Sequence, residues 1–273
     1  MPTTTSTPGP PSGQETHKLR QVAESFGTEA DRYDRARPGY PDSLIARIAA
    51  ASPGPDVLDV GCGTGIATRQ FQAAGCRVLG VDVDERMAAL ARERGLEVEV
   101  SPFETWDARG RRFDAVVSAQ TWHWIDPVEG AAKAAEVLRP GGRLALLWNV
   151  MQPSPPVADA FAEVYRKVLP QMQAVGAAGP ALQAYDAMAA KAREGIEACG
   201  AFGEPERWQA GWERTYTREE WLDTVPTFGG QSLLPAEQRE ELLRQMGAAV
   251  DALGGEFVMP YVTIVLTAAV RAA

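Results

Sequence analysis

A short apolar run followed by a glycine-rich loop constrains the fold more than any other feature of this chain. Asp56-Val-Leu-Asp-Val60 has three apolar residues among five, a short run typical of a strand buried on both faces of a parallel sheet. The loop Gly61-Cys-Gly-Thr-Gly65 follows at once, and Ile66 to Ala74 has helical spacing. In an open α/β sheet, ligands bind beyond the carboxyl ends of the strands. The loop is therefore expected to lie at a ligand site, where glycines let the backbone turn tightly and approach a ligand closely.

Strand and helix patterns alternate along the chain on both sides of this loop. Further strands are expected at Arg77 to Val81, Glu97 to Val100, Phe113 to Ala119, Arg143 to Trp148, Glu206 to Tyr216 and Val258 to Val270. Helical patterns separate most of them. The alternation predicts an α/β fold with a doubly wound, mostly parallel sheet of seven strands and a helical cap over the site.

The same patterns predict how the chain is organised. We expect a disordered tail over residues 1–15, a helical N-terminal lid over 16–55 and a cofactor-binding core over 56–150. A helical cap insertion is expected over 151–204, because the strand–helix rhythm changes after Asn149. Residues 205–273 would complete the sheet and supply helices on the substrate side.

Composition excludes several classes of function. The net charge is −9 and the isoelectric point about 4.9, a field that repels phosphate backbones and argues against nucleic acid as a partner. Two histidines and three cysteines without framework spacing predict no metal site, and this cysteine usage favours a cytoplasmic protein. The longest apolar stretch, Phe257 to Val270, contains Pro260 and is too short to span a bilayer. The oligomeric state stays open.

Two classes of nucleotide cofactor suit a strand–glycine loop–helix unit. A dinucleotide site requires Gly-x-Gly-x-x-Gly, but Ile66 stands where its third glycine would fall, and the chain lacks a paired Tyr-x-x-x-Lys. Asp59 supplies a carboxylate at the end of the first strand. Asp82, at the end of the second, stands where an acid binds ribose hydroxyls. The pattern therefore disfavours an NAD-dependent oxidoreductase.

Several motifs resemble those of the class I S-adenosylmethionine-dependent methyltransferases of the type 11 group. They are Val57-Leu-Asp-Val-Gly-Cys-Gly-Thr-Gly65, Leu79-Gly-Val-Asp82, Phe113-Asp-Ala-Val-Val117 and Leu138-Arg-Pro-Gly-Gly-Arg-Leu144. The resemblance implies S-adenosylmethionine as cofactor and S-adenosylhomocysteine as product. It implies that Gly61 contacts the methionine end, Asp82 the ribose, Phe103 and Glu104 the adenine, and that Gln120 lies near the sulfonium. Asp59, Gly63 and Gly65 complete the expected cofactor site. Ser101-Pro102 departs from the family pattern, which often has an acid there.

A narrower resemblance concerns the small-molecule branch related to trans-aconitate methyltransferase. It rests on Tyr33-(x)3-Arg37-Pro-Gly-Tyr-Pro41, Trp122-His-Trp124 and Met259-Pro-Tyr-Val-Thr263. The resemblance implies that the N-terminal segment folds over the cofactor, with Tyr33 closing it in. Packing of a proline-rich turn is the alternative role for Tyr33 and Tyr40.

His123 and Tyr33 are the catalytic candidates. His123 follows the fourth strand at the expected ligand edge, and an imidazole can accept a proton near neutral pH. The alternative is that His123 hydrogen-bonds a loop while the flanking Trp122 and Trp124 pack on the next helix.

Aromatic residues near the later strands and the cap predict the character of the substrate pocket. The expected pocket residues are Arg37, Tyr40, Trp122, Trp124, Trp148 and Trp221. Arg37 could clamp a carboxylate, or it could pair with Asp34 or Glu29. The sequence thus predicts methyl transfer to a small aromatic or heteroaromatic metabolite, for example an indole, at C, N or O. The alternatives are a carboxylate O-methyltransferase of the trans-aconitate type and a cofactor-binding module without catalysis.

Overall fold

Seven strands form one sheet in the computed structural model, which describes residues 26–170, 180–229, 231 and 234–271. The expected tail over residues 1–15 lies outside these residues. The strands are β1 (Asp56–Val60), β2 (Arg77–Asp82), β3 (Glu97–Val100), β4 (Phe113–Ala119), β5 (Leu138–Met151), β6 (Glu206–Thr217) and β7 (Glu256–Ala269). Their order in the sheet is β3-β2-β1-β4-β5-β7-β6. The first five are mutually parallel, whereas β7 runs antiparallel to both β5 and β6.

Helices cover both faces of this sheet and its carboxyl edge. They are α1 (Ala30–Ala36), α2 (Asp42–Ala51), α3 (Ile66–Ala73), α4 (Glu85–Glu93), α5 (Pro127–Val137), α6 (Pro155–Val168), α7 (Pro180–Cys199), α8 (Arg218–Thr224) and α9 (Ala236–Ala252). Short 3-10 turns occupy Phe26–Glu29, Phe103–Thr105, Trp122–Trp124 and Val225–Thr227. None of the helices described here is both long and apolar enough to cross a membrane.

The alternation of side chains along β4 and β5 builds two apolar layers. Val116 and Leu146 pack with residues of α5 and α7 on one face of the sheet. Val117 and Leu147 point the other way and pack with α2 and α3. Because successive residues of a strand face opposite sides, a strand buried on both faces is apolar along most of its length. This confirms the predicted doubly wound α/β sheet.

The antiparallel pair β6–β7 extends beyond the carboxyl edge of the parallel strands. Met151, the last residue of β5, pairs with Tyr261, and β7 continues past this point to pair with β6 as far as Thr217 opposite Glu256. A third apolar cluster joins this extension to α6, α8 and α9. The carboxyl edge therefore faces a wall of cap residues, and a cavity lies between them.

Candidate functional site

Gly61 fixes the start of the glycine loop at the end of β1. Its φ is +68°, and a Cβ there would lie 2.0 Å from Cγ2 of Thr121. The Gly61 N–H donates to the carbonyl of Val81 (2.7 Å), and the Thr121 hydroxyl donates to the carbonyl of Gly61 (3.0 Å). Any side chain at this position would push β1 away from the loop that follows β4.

Gly63 is the part of the loop that opens onto the cavity. Its φ is +55°, and a Cβ there would meet no atom within 4 Å. A side chain would thus project into space that a ligand can use, in a backbone conformation that favours glycine. The loop offers an open cradle at this point. Gly65 lies at the start of α3 and does not line the cavity.

The cavity above the loop has a volume of about 660 Å³, within the usual range for small-molecule and cofactor sites. The structure brings most of the predicted site residues together in its lining. These are Tyr33, Arg37, Tyr40, Asp59, Gly61, Gly63, Asp82, Phe103, Glu104, Gln120, His123, Trp124 and Trp221.

Two of the predicted pocket residues lie elsewhere. Trp122 is 2% exposed and packs against the ring of Phe103 in the core beneath the cavity. Trp148 is 1% exposed and belongs to the same apolar layer. The sequence predicted a pocket role for Trp122 because this residue follows the end of β4. Its side chain turns toward α5 instead. The structure therefore assigns both tryptophans to the core.

Asp59 is a buried carboxyl group in the wall of the cavity. The hydroxyl of Thr68 donates to its Oδ2 (2.6 Å), while its Oδ1 is buried with no hydrogen-bond partner among the described residues. Burial raises the pKa of Asp59 to about 7, and the hydrogen bond from Thr68 partly offsets this. The group is thus close to balance between its neutral and charged forms at physiological pH.

Asp82 is held by two backbone N–H groups at the end of β2. Gly63 donates to Oδ2 (2.7 Å) and Asp84 donates to Oδ1 (2.9 Å). Burial raises the pKa of Asp82, and these hydrogen bonds act in the opposite direction. The carboxylate is therefore oriented before any ligand arrives.

The loop after β4 supplies Gln120 and His123. Gln120 has a φ of +58°, a conformation that costs a non-glycine residue about 1–2 kcal/mol. Its backbone N–H donates to the carbonyl of Leu147 (2.9 Å), and its side-chain amide donates to the carbonyl of Asn149 (2.9 Å). These two hydrogen bonds to β5 hold Gln120 in place. His123 lines the cavity beside Trp124, with 4.7 Å between ring centroids. Burial lowers the pKa of His123 to about 4, so the imidazole is neutral near pH 7.

The N-terminal segment carries Tyr33, Arg37 and Tyr40 to the cavity. Gln70 clamps this segment to α3, accepting from the Tyr40 N–H (2.8 Å) and donating to the Tyr40 carbonyl (2.7 Å). Arg37 does not pair with Asp34 or Glu29, the partners considered from the sequence. Those acids are used elsewhere: Asp34 pairs with Arg69 and Arg94, and Glu29 pairs with Arg32 and Arg239. The guanidinium of Arg37 instead donates to the carbonyl of Thr227 (2.6 Å).

Several cavity residues were not singled out from the sequence. They come mainly from the cap and are Phe161, Tyr165, Tyr185, Met188 and Phe228. A helical spacing of four separates Phe161 from Tyr165, which is the one sequence signal that places them on a common face. The spacing does not show which partner that face meets.

Comparison with known proteins identifies the family. Residues 58–146 match the methyltransferase domain family. The uncharacterized methyltransferase Rv3342 of Mycobacterium tuberculosis (strain ATCC 25618 / H37Rv) is 30% identical over 259 residues, covering 91% of this chain and 97% of that protein. The 27-O-demethylrifamycin SV methyltransferase of Amycolatopsis mediterranei (strain S699) is 32% identical over 219 residues, covering 76% of this chain and 72% of the relative.

Solved structures share the fold. A structure described as a type II methyltransferase of Anaeromyxobacter dehalogenans aligns with a TM-score of 0.61 at 22% identity, covering 86% of this chain and 97% of its own. The [4+2]-cyclase SpnF aligns with a TM-score of 0.52 at 17% identity, covering 97% of this chain and 100% of its own.

The sheet order and the glycine loop define an α/β fold with a cavity at the carboxyl edge of its parallel strands. Taken with the relatives, they show that the chain belongs to the class I S-adenosylmethionine-dependent methyltransferases. The open cradle at Gly63 and the unpartnered buried oxygen of Asp59 fit such a cofactor. The narrower resemblance to trans-aconitate methyltransferase stays a prediction.

Proposed function

We propose that this enzyme methylates a small aromatic or heteroaromatic metabolite, for example an indole, at a carbon, nitrogen or oxygen atom. The observation that carries the proposal is the character of the cap side of the cavity. Rings and thioethers dominate this wall: Phe161, Tyr165, Tyr185, Met188, Trp221, Phe228, Met259 and Tyr261. Flat rings stack on such surfaces and are excluded from water there. We call this wall the aromatic compartment.

The remaining wall suits the cofactor, which supplies an electrophilic methyl group on a sulfonium sulfur. We assign Asp82 to the ribose hydroxyls, because its carboxylate is oriented at the end of β2 with oxygen lone pairs to spare. Gly61 and Gly63 approach the methionine end, and the unpartnered oxygen of Asp59 suits an ammonium group. The turn that carries Phe103 and Glu104 would hold the adenine. Gln120 would then lie near the sulfonium.

We assign His123 to contact with the nucleophilic atom of the substrate. We assign Tyr33 to closing the cavity over the cofactor. Methyl transfer is an in-line displacement that needs proximity and a dry pocket, with a base only if the nucleophile carries a proton. With a pKa of about 4, the imidazole holds a proton weakly. This favours a role in orienting the nucleophile through a hydrogen bond over full proton abstraction.

Carboxylate O-methylation is the second candidate. Arg37 favours it, because this cation in the lining could hold a carboxylate near the transferred methyl. Isotope labelling separates the two. The enzyme would be incubated with S-adenosylmethionine carrying a ¹³C-methyl group and with matched indoles, phenols, aromatic acids and aliphatic acids, and the products would be read by NMR.

The chemical shift of the labelled methyl identifies the atom that received it. Label on a ring carbon, ring nitrogen or phenolic oxygen supports the proposal. Label found only in methyl esters, with aliphatic acids as good as aromatic ones, contradicts it and supports the second candidate.

A further inference from the structure

Arg37 differs from the other arginines of its segment. Arg32 and Arg35 both donate to the carboxylate of Asp223, at 2.8–3.0 Å. Arg37 forms no ion pair with any carboxylate in the described part of the chain. Among the described residues that line the cavity, it is the one side chain with a permanent positive charge.

The guanidinium of Arg37 is held in place without being neutralised. One Nη donates to the carbonyl of Thr227, and the group lies 5.2 Å from the ring centroid of Tyr33 and 4.8 Å from that of Phe228. The backbone beside it is fixed as well, because the amide of Asn149 donates to the carbonyl of Gly39 (2.9 Å). A rigid, aromatic-flanked guanidinium is a preorganised site for a planar anion.

The Nε of Arg37 is buried and has no acceptor among the described residues. A buried N–H of a charged group that makes no hydrogen bond costs free energy. An acceptor that reaches this N–H therefore stabilises the protein. The charge also reaches the aromatic compartment. Burial raises the pKa of Tyr185, and the positive charge of Arg37 partly offsets that rise.

We propose that Arg37 binds a carboxylate inside the cavity, and that this carboxylate belongs to the methyl acceptor, which makes aromatic carboxylates the substrate class. The inference rests on the proposed function for the aromatic part of the substrate. Arg37 contacts Thr227 and Phe228, which belong to the cap and not to the glycine loop. This position favours the acceptor as the source of the anion. The α-carboxylate of the cofactor is the other source.

Calorimetry on protein saturated with S-adenosylhomocysteine tests the preference. Indole-3-carboxylate should bind about 10-fold to 100-fold more tightly than indole-3-carboxamide, because the amide keeps the shape but loses the charge-assisted hydrogen bonds. Arg37→Gln should abolish the difference, and Arg37→Lys should restore part of it. Arg244→Gln, an exposed arginine on α9 that pairs with Glu241, is the control and should keep the wild-type preference.

A second pair of ligands distinguishes a failure of this inference from a failure of the proposed function. Cyclohexanecarboxylate and its carboxamide carry the same groups on a ring without π electrons. If only this pair shows the Arg37-dependent preference, the site for the carboxylate stands and the aromatic assignment fails. If neither pair favours the acid, or if the preference survives in Arg37→Gln, the inference is overturned. Urea unfolding of the variant verifies that it is folded.

The two sources of the carboxylate are distinguished with the cofactor product. S-adenosylhomocysteine has an amino-acid carboxylate, whereas 5′-methylthioadenosine lacks it. If Arg37→Gln binds both as the wild-type enzyme does, the acceptor is the source. If it loses affinity for S-adenosylhomocysteine alone, Arg37 serves the cofactor, and the assignment to the acceptor is overturned.

Discussion

Asp82 offers the plainest test at the level of single residues. Asp82→Ala should weaken cofactor binding, because two hydrogen bonds from ribose hydroxyls to a charged acceptor are lost, each contributing about 1.5–3 kcal/mol. Calorimetry with S-adenosylhomocysteine measures the change. Asp159→Ala, an exposed acid on α6, is the matched control. Unchanged affinity in Asp82→Ala would remove this residue from the ribose site.

Asp59 should make cofactor affinity depend on pH. Its pKa is raised to about 7, so the group is mostly protonated at pH 6 and mostly ionised at pH 8. An ammonium group on the ligand favours the ionised form, and affinity should therefore rise as pH increases through 7. Asp59→Asn should bind more weakly at pH 8 and lose the dependence. A wild-type affinity that is flat between pH 6 and 8 would contradict the role.

His123 is tested by substitution. His123→Ala should lower kcat by about 10²-fold or more while leaving cofactor affinity almost intact, since a positioned acid–base group contributes about 10²–10⁴-fold. His123→Asn keeps a hydrogen-bonding edge but cannot take the proton. Recovery of most activity in His123→Asn would assign an orienting role, and full activity in both variants would leave His123 with a structural role only.

The pH profile of turnover adds a second test of His123. Its pKa is lowered from 6.5 to about 4, so the neutral form that can accept a hydrogen bond persists down to about pH 4. Titration of His123 should therefore cause no loss of turnover near pH 6.5. An acid limb centred near pH 6.5 in the wild-type enzyme and missing in His123→Asn would contradict the buried environment.

Individual residues also show where reasoning from the sequence succeeds. Asp59 and Asp82 were placed correctly at the cavity because strand ends and glycine loops are local signals. Trp122 and Trp148 were not, because the direction of a side chain after or within a strand depends on which layer packs against it. For Arg37 the sequence left two roles open, binding of a carboxylate ligand and an ion pair with Asp34 or Glu29. Only the fold shows that Asp34 faces Arg69 and Arg94 instead.

At the level of elements, helix α1 connects the two sides of the cavity. Asp34 joins it to Arg69 on α3 (2.8 Å), while Arg32 and Arg35 join it to Asp223 on α8. Tyr33 of this helix and Arg37, its C-cap residue, line the cavity. The segment therefore has the position expected of a lid, and its role as one stays a prediction.

Asp223→Asn tests that role. The substitution releases α1 from α8, and turnover should fall because Tyr33 and Arg37 are no longer held over the cavity. The melting temperature should change little, since ion pairs with exposed arginines contribute little to stability. Steady-state kinetics and thermal unfolding measure both. Glu163→Gln removes comparable exposed pairs on α6 and should leave turnover unchanged. Equal turnover in Asp223→Asn and Glu163→Gln would contradict the lid role of α1.

The strands were easier to predict than the cap for a physical reason. Buried parallel strands are continuous apolar runs, so Phe113 to Ala119 was identified with its observed bounds. The fifth strand was expected at Arg143 to Trp148 but extends over Leu138–Met151, because pairing with β7 continues to Met151. The aromatic compartment is assembled from α6, α7, α8, the turn after α8 and β7. Packing between these distant segments sets where they meet.

At the level of the whole molecule, the β6–β7 pair encloses the carboxyl edge of the parallel strands. By running past the carboxyl edge, it packs with α6, α8 and α9 in the third apolar cluster, and α6 and α8 supply Phe161, Tyr165 and Trp221 to the cavity lining. The fold alone does not fix the reaction, as the similarity to the [4+2]-cyclase SpnF shows. We propose that the residues lining this cavity select the acceptor.

A crystal structure with S-adenosylhomocysteine would show which side chains face the sulfur. We expect the ribose on Asp82, the adenine against Phe103 and Glu104, and the sulfur facing His123 and the aromatic compartment. A sulfur that points to solvent, or to a surface away from His123 and the cap, would contradict methyl transfer to an aromatic substrate in this cavity.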